Sequence, residues 1–341
     1  MEKKLYDYGI KWHYLQIPLT EKCNLLCKHC MRTEKFSEKD ISFDVFKKYL
    51  SNFHPGMCDT LLLSDFGEPF LRRDLLDILK YVKSQGFDKV EVVSNGTLFD
   101  KHDFQAIIKE GLLRRIRIST EAASKEMYEK IRGGSHDLFL SNIKLVVKYK
   151  TELNKQYPSL IFNVVCLREN LHELPEIMDL AHDYKIDFVC FVHLNSITMD
   201  ILNKPQNDFL KKLCVSGQHL DNCDKEFKKR IFQIIDEKSK KYNLNYLPPE
   251  NYSATEEKTN DSLKSGKSKC NMPYQWIQIG LDGSVFPCCQ ISKKVMVGNL
   301  NDNSFEQIWS GKKFERFRKD LEEGVANDWC KICNIFKGKR F

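Results

Sequence analysis

The chain contains no apolar run approaching the roughly 18 residues that a membrane-spanning helix needs. Its first residues, Met1-Glu2-Lys3-Lys4-Leu5-Tyr6-Asp7-Tyr8, lack the apolar core of a secretory signal, which points to the cytoplasm. It has no arginine-rich stretch and no RNA-binding motif, so the net charge of +7 reads as a lysine-rich solvated surface, with no clear nucleic-acid signal. The cysteine count is odd and two Cys-x-x-Cys pairs are present, which argues against an extracellular disulfide framework. What the chain does have is 13 cysteines in 341 residues, and a number that high in a reducing compartment asks for a metal.

Three of them fall together as Cys23-Asn24-Leu25-Leu26-Cys27-Lys28-His29-Cys30, directly after an apolar run. Thiolates at such spacing hold zinc or iron–sulfur clusters. A cubane [4Fe–4S] cluster has four irons, so three local thiolates leave one iron open to a ligand from outside the protein. The set Cys270, Cys288, Cys330 and Cys333 is different in kind, because four thiolates close a cubane or equally a zinc ribbon.

Between residues 14 and 195, β-branched runs alternate with stretches of helical period. The expected strands are Leu15–Leu19, Thr60–Ser64, Val90–Ser94, Arg115–Ser119, Ile161–Leu167 and Phe188–His193. The expected helices are Phe43–Asn52, Leu71–Ser84, Lys101–Glu110, Asp137–Leu153 and Leu174–Tyr184. Such alternation implies an α/β fold with a parallel sheet, as a doubly wound sheet or a barrel, with chemistry at the carboxyl ends of the strands. Residues 196–269 change character: two amphipathic stretches, Phe209–Val215 and Phe227–Tyr242, precede the polar segment Glu250–Lys269, which reads as a linker. Beyond it, Trp276 to Pro287 reads as a β-hairpin turned at Asp282-Gly283.

The Cys23–Cys30 loop resembles the cluster loop of the radical S-adenosylmethionine (SAM) enzymes, with His29 where that family usually has an aromatic residue. The resemblance implies a partial (β/α)6 TIM-like barrel over residues 1–195 and chelation of S-adenosyl-L-methionine on the open iron. Reductive cleavage of SAM would then give a 5′-deoxyadenosyl radical. Ser64-Asp65-Phe66-Gly67-Glu68-Pro69 is similar to the family's Gly-Glu-Pro segment, which implies that Gly67 and Glu68 receive the SAM ammonium. Ser94-Asn95-Gly96 resembles the ribose-lining segment, and Ser119 a further SAM contact; Glu121 stands where relatives often have Asp. Arg132 suits the SAM carboxylate, while Arg168 and His193 fall at strand ends that face substrate in relatives. Cys166 and Cys190, inside apolar strands, read as buried hydrophobes.

Residues 270–341 resemble the SPASM domain in its shortened "twitch" form: Cys270, Gly283 ahead of Cys288, Gly298-Asn299-Leu300, Trp309 and Cys330-x-x-Cys333. The resemblance implies two [4Fe–4S] clusters, the auxiliary one accepting an electron from a substrate radical. Cys289, left over beside Cys288, is a candidate hydrogen-atom donor or a bystander. Reduced flavodoxin or ferredoxin is the expected electron donor. Only 22 residues precede Cys23, too few for a peptide-leader domain, so the expected substrate is a small sugar- or aminocyclitol-like alcohol, oxidised or epimerised. Peptide maturation is the alternative within the family, and a non-catalytic iron–sulfur carrier the alternative outside it.

Overall fold

The computed structural model describes residues 11–30, 38–194, 217–249, 270–289, 295–325 and 327–333. The expected helix Phe209–Val215, the polar stretch Glu250–Lys269, Cys214 and Asn195 lie outside them. The strands are β1 (Trp12–Gln16), β2 (Cys58–Leu62), β3 (Val90–Ser94), β4 (Arg115–Ser119), β5 (Ser159–Cys166) and β6 (Phe188–His193). These are followed by β7 (Tyr246–Leu247), β8 (Trp276–Ile279), β9 (Ser284–Phe286) and β10 (Gly298–Asn299). The helices are α1 (Phe43–Leu50), α2 (Leu75–Ser84), α3 (Phe104–Lys109), α4 (Lys125–Arg132) and α5 (His136–Glu152). After them come α6 (Leu174–Asp183), α7 (Lys225–Tyr242), α8 (Phe305–Trp309), α9 (Lys312–Glu322) and α10 (Asp328–Ile332).

Most of the starts have a local cause. Ser42, Asp103, Ser124, Ser135, Asp224 and Ser304 each accept a hydrogen bond from an otherwise orphaned N–H of the helix that follows. Strand β1 ends earlier than its apolar run because Pro18 has no N–H to give to a ladder. Helix α4 escaped the periodicity because only two of its apolar residues, Tyr128 and Ile131, are buried, with Arg132 completing the face.

The chain divides into two compact units. The first comprises the described residues of Met1–Lys22, Ser37–Val92 and Asn260–Lys339. There β1 pairs in parallel with β2 on one side and with β8 on the other, in register Tyr14↔Trp276 and Gln16↔Gln278. Strand β9 joins β8 antiparallel, and β10 joins β9. The C-terminal segment thus extends the sheet that begins at β1, although it lies more than 250 residues away in sequence. Trp12, fully buried, locks that arrangement: its ring meets Phe305 and Trp309 edge-on at 5.4 and 5.3 Å, and its indole N–H donates to Pro273 O at 3.2 Å. Aromatic pairs of this geometry are worth about 0.5–1.5 kcal/mol each beyond the area they bury.

The second unit comprises the described residues of Cys23–Phe36 and Val93–Thr259. Strands β4, β5, β6 and β7 are parallel in that order. Helix α7, expected from its period, stands over α6: Lys238 and the Tyr242 hydroxyl both bond the Asp179 carboxylate, and His182 stacks on Tyr242 at 4.3 Å.

Candidate iron–sulfur and cofactor site

The Cys23–Cys30 loop is held by backbone and shape. Lys28 N–H donates to Ile131 O in the last turn of α4 at 2.9 Å, and Cys30 N–H donates to Cys27 O at 3.1 Å. Gly133, at φ 71°, ends α4 in the left-handed conformation that glycine tolerates best. At Gly134 a Cβ would lie 2.7 Å from the Leu25 side chain, so the loop's buried leucine needs that glycine. Leu25 is buried and Leu26 is 72% exposed, with the half-buried thiols of Cys23, Cys27 and Cys30 about them.

Asn95 ties the turn after β3 to this loop. Its Nδ2 donates to Asn24 Oδ1 at 2.8 Å and is 3.9 Å from the Cys23 sulfur, while its Oδ1 accepts from Thr97 N and Oγ1. Asn24 in turn donates to Thr97 Oγ1 at 2.9 Å. Ser94 caps the turn by accepting from Gly96 N, and Gly96 takes φ 75°. The Ser-Asn-Gly segment therefore touches Cys23, the first cysteine of the loop, directly.

Behind the loop lies a buried ion pair. Arg132 Nη1 donates to Glu121 Oε2 at 2.9 Å, with side chains 5% and 0% exposed. His29 Nε2 lies 3.6 Å from Glu121 Oε1, and Val165 N lies 3.5 Å from the same oxygen. Asn170 fixes the neighbourhood, donating to both Glu121 O and Val165 O while accepting from Leu167 N. Arg132, expected at the SAM carboxylate, is thus engaged with Glu121; its Nε finds no partner among the described residues. Burial pushes the Cys27 thiol up to about 12, against the pull of the Arg132 charge, with the neighbouring Cys30 and Cys23 adding to the rise. Burial lowers His29 from its ordinary value and so favours a neutral imidazole, against the opposing pull of Glu121.

Ser119 ends β4 opposite Asn163. Beyond β5, Arg168 N donates to Gln218 O at 2.8 Å, and Glu169 N to Gln218 Oε1 at 2.8 Å. His193 at the end of β6 stacks on His219, with centroids 5.7 Å apart and planes at 12°. The residues 218–219 that flank both substrate candidates carry no motif, and the sequence offered no signal for them. Cys166 and Cys190 are buried, as expected.

In the first unit, Gly67 packs where no side chain fits: a Cβ there would lie 2.2 Å from Thr20 O and 2.9 Å from Lys22 O. Glu68 N–H donates to Lys22 O at 2.7 Å, and its carboxylate caps the following turn through Phe70 N at 3.0 Å. Arg72, which sequence reasoning missed, reaches Leu19 O and Ile41 O with Nη1 and holds Asp74 in a fork at 2.8 and 2.7 Å. Together these fix the chain entering Cys23.

The same unit carries the second cysteine set. The hairpin turns at Asp282-Gly283 as expected, with Gly283 at φ 82° and Asn299 and Asn301 both donating to Asp282 O. Cys288 follows β9 and is buried; Cys289 beside it is half-buried. Asn327 caps α10 by accepting from Cys330 N at 3.0 Å. Burial pushes Cys330 up to about 12, the charges of Cys270 and Cys333 adding to the rise. One residue unmarked by any motif is Gln278, 1% exposed, whose Oε1 finds no partner among the described residues.

Both donor sets fit iron–sulfur clusters by chemistry. Cys27 lies within the charge influence of Cys23 and Cys30, and Cys330 within that of Cys270 and Cys333; their thiolate charges would oppose one another, and a cationic cluster relieves that opposition. Among the described residues no three His, Cys, Asp or Glu side chains close on a single ion. A cubane takes one thiolate per iron and does not require that closure.

Three thiols in one loop and four more in the C-terminal segment of an α/β chain carry the donor chemistry of an iron–sulfur protein. A Radical SAM superfamily model matches residues 17–181 and the iron-sulfur cluster-binding domain model, SPASM, matches residues 270–334. The chain belongs to the radical SAM superfamily of enzymes, with a partial α/β barrel followed by a small SPASM domain. Among curated relatives it is similar to the GTP 3′,8-cyclase of Limosilactobacillus fermentum, 29% identical over 57% of this chain and 59% of that one. It spans just over half the length of that cyclase and of its Lactiplantibacillus plantarum counterpart. Among solved structures it resembles Streptococcus suis SuiB bound to S-adenosylmethionine, with TM-score 0.69, 15% identity, and coverage of 98% and 73%. It also resembles BtrN in complex with AdoMet and 2-DOIA, with TM-score 0.52, 15% identity, and coverage of 98% and 94%. Among the described residues no helix is long and apolar enough to cross a membrane.

Proposed function

We propose that this chain generates a 5′-deoxyadenosyl radical from SAM and uses it to take a hydrogen atom from a peptide or protein side chain. The observation that carries the first half is the Cys23–Cys30 loop, anchored to α4 by Lys28 N–H and approached by the Asn95 amide at Cys23. When bound, a three-cysteine cluster with SAM supplies an electron to the sulfonium and so the radical. Cys23, Cys27 and Cys30 would hold that cluster, and Cys270, Cys288, Cys330 and Cys333 a second one that takes up an electron. His29, Gly67, Glu68, Ser94, Asn95 and Ser119 are the proposed SAM contacts. Their burial or half-burial favours them, since charge interactions strengthen away from water. Arg168 and His193 remain the proposed substrate contacts, now with Gln218 and His219 beside them.

The peptide reading is supported by the likeness to SuiB, which is also solved bound to its precursor peptide SuiA. A small alcohol is the second reading, supported by the likeness to BtrN with 2-DOIA. The test is anaerobic reconstitution with iron and sulfide, addition of SAM and dithionite, and 5′-deoxyadenosine measured with peptide pools or with cyclitols. Peptide-stimulated release, with a hydrogen pair lost from the peptide by mass spectrometry, supports the proposal. Stimulation by cyclitols alone transfers the reading to a small alcohol, and no release from an iron-loaded protein leaves an electron carrier.

A further inference from the structure

We propose that the buried Glu121–Arg132 pair, reached by His29, is an electrostatic strut that positions the three-cysteine loop and sets the reduction potential of the cluster held there. The inference rests on the cluster assignment above and deepens it.

Three placements carry it. Arg132 is the residue after Ile131, whose carbonyl receives Lys28 N–H at 2.9 Å, and Lys28 directly follows Cys27. The guanidinium is therefore delivered to the same end of α4 that the loop is docked on. Glu121, wholly buried, takes one guanidinium N–H at 2.9 Å, and its other oxygen lies 3.6 Å from His29, two residues after Cys27 and one before Cys30. One carboxylate thus spans the α4 terminus and the loop. The pair is itself anchored, because Asn170 bonds Glu121 O and the β5 carbonyl of Val165 at 2.8 and 2.9 Å.

The electrostatic consequence follows from sign. One-electron reduction adds a negative charge to the cluster. An uncompensated cation behind Cys27 would stabilise the reduced form and raise the potential, which weakens the cluster as a reductant. Glu121 offsets that cation while keeping the guanidinium in place to hold the loop. Buried and shielded from salt, neither charge is screened as a surface pair would be.

The test is an EPR redox titration of the protein reconstituted without SAM. It uses a background with Cys270 and Cys288 replaced by Ala, so that one cluster is read. Glu121→Gln leaves the cation uncompensated and is expected to raise the midpoint by about tenfold in the reduction equilibrium, about 59 mV for a one-electron couple. Arg132→Gln is expected to lower it by a similar amount, and the double variant to return near the parent value. If one single variant fails to load iron, the other carries the comparison, with the double variant and Arg132→Lys, both expected near the parent, as controls. Midpoints that move in neither single variant overturn the proposal. So does an unshifted Arg132→Gln whose EPR signal no longer responds to SAM, which would put Arg132 on the SAM carboxylate. Failure of the cluster assignment itself is separable: the parent would then show no iron and no EPR signal to titrate.

Discussion

Gly67→Ala is the most local perturbation the structure offers. The new methyl carbon would lie 2.2 Å from Thr20 O, 2.7 Å from Thr20 C and 2.9 Å from Lys22 O. All three are backbone atoms, so no side-chain rotation relieves the overlap and one chain must move by roughly an ångström. Overpacking of that kind costs about 1–3 kcal/mol. The displaced atoms include Lys22 O, the acceptor of Glu68 N–H at 2.7 Å, whose loss adds about 1 kcal/mol. The expected total is about 2–4 kcal/mol, read as a lowered urea midpoint at unchanged slope on metal-free protein. Because Lys22 leads straight into Cys23, the same variant should also bind less iron on reconstitution. A Gly67→Ala protein with an unaltered midpoint and full iron would refute the claim that the glycine is required by the approach of residues 20–22.

Three further outcomes follow. Cys23→Ala should abolish 5′-deoxyadenosine release while about half the iron remains, checked by iron assay alongside chromatography of the reaction. Gln278→Met should stabilise the fold by about 1–2 kcal/mol, because it removes a buried amide oxygen that has no partner among the described residues; urea titration reads it. Burial raises the Cys58 thiol from 9.0 to about 12 in the fold, so the native state holds this proton when the unfolded chain has lost it. Stability from this group is full below pH 9 and falls as pH rises towards 12, by at most about 1.4 kcal/mol per pH unit. A Cys58→Ser variant should show a shallower alkaline decline in denaturant midpoints.

Much of the fold was legible because it rests on local signals. The β-branched runs that became β3, β4 and β6 read to the residue, and Asp282-Gly283 marked the hairpin turn. The parallel pairing of β1 with β8 was not legible, since it joins short apolar runs more than 250 residues apart by backbone hydrogen bonds that any side chains permit. The cysteine sets announce themselves by spacing. The Glu121–Arg132 pair does not, because Arg132 sits where helix periodicity leads one to expect an exposed polar end, and only folding brings it against Glu121. Gln218 and His219 were hidden for a related reason: Gln218 receives Arg168 N and Glu169 N on its carbonyl and side-chain oxygens, and His219 stacks on His193, contacts that leave no pattern in the chain.

The central claim is that Cys23, Cys27 and Cys30 hold a cluster with one iron left open for SAM. The most direct measurement is EPR of the dithionite-reduced protein before and after SAM, with 5′-deoxyadenosine assayed in the same sample. A [4Fe–4S] signal that changes on adding SAM, with release that vanishes on replacing any one of the three cysteines, is the predicted result. Zinc bound by those thiols, or a cluster signal indifferent to SAM and no 5′-deoxyadenosine, would contradict it.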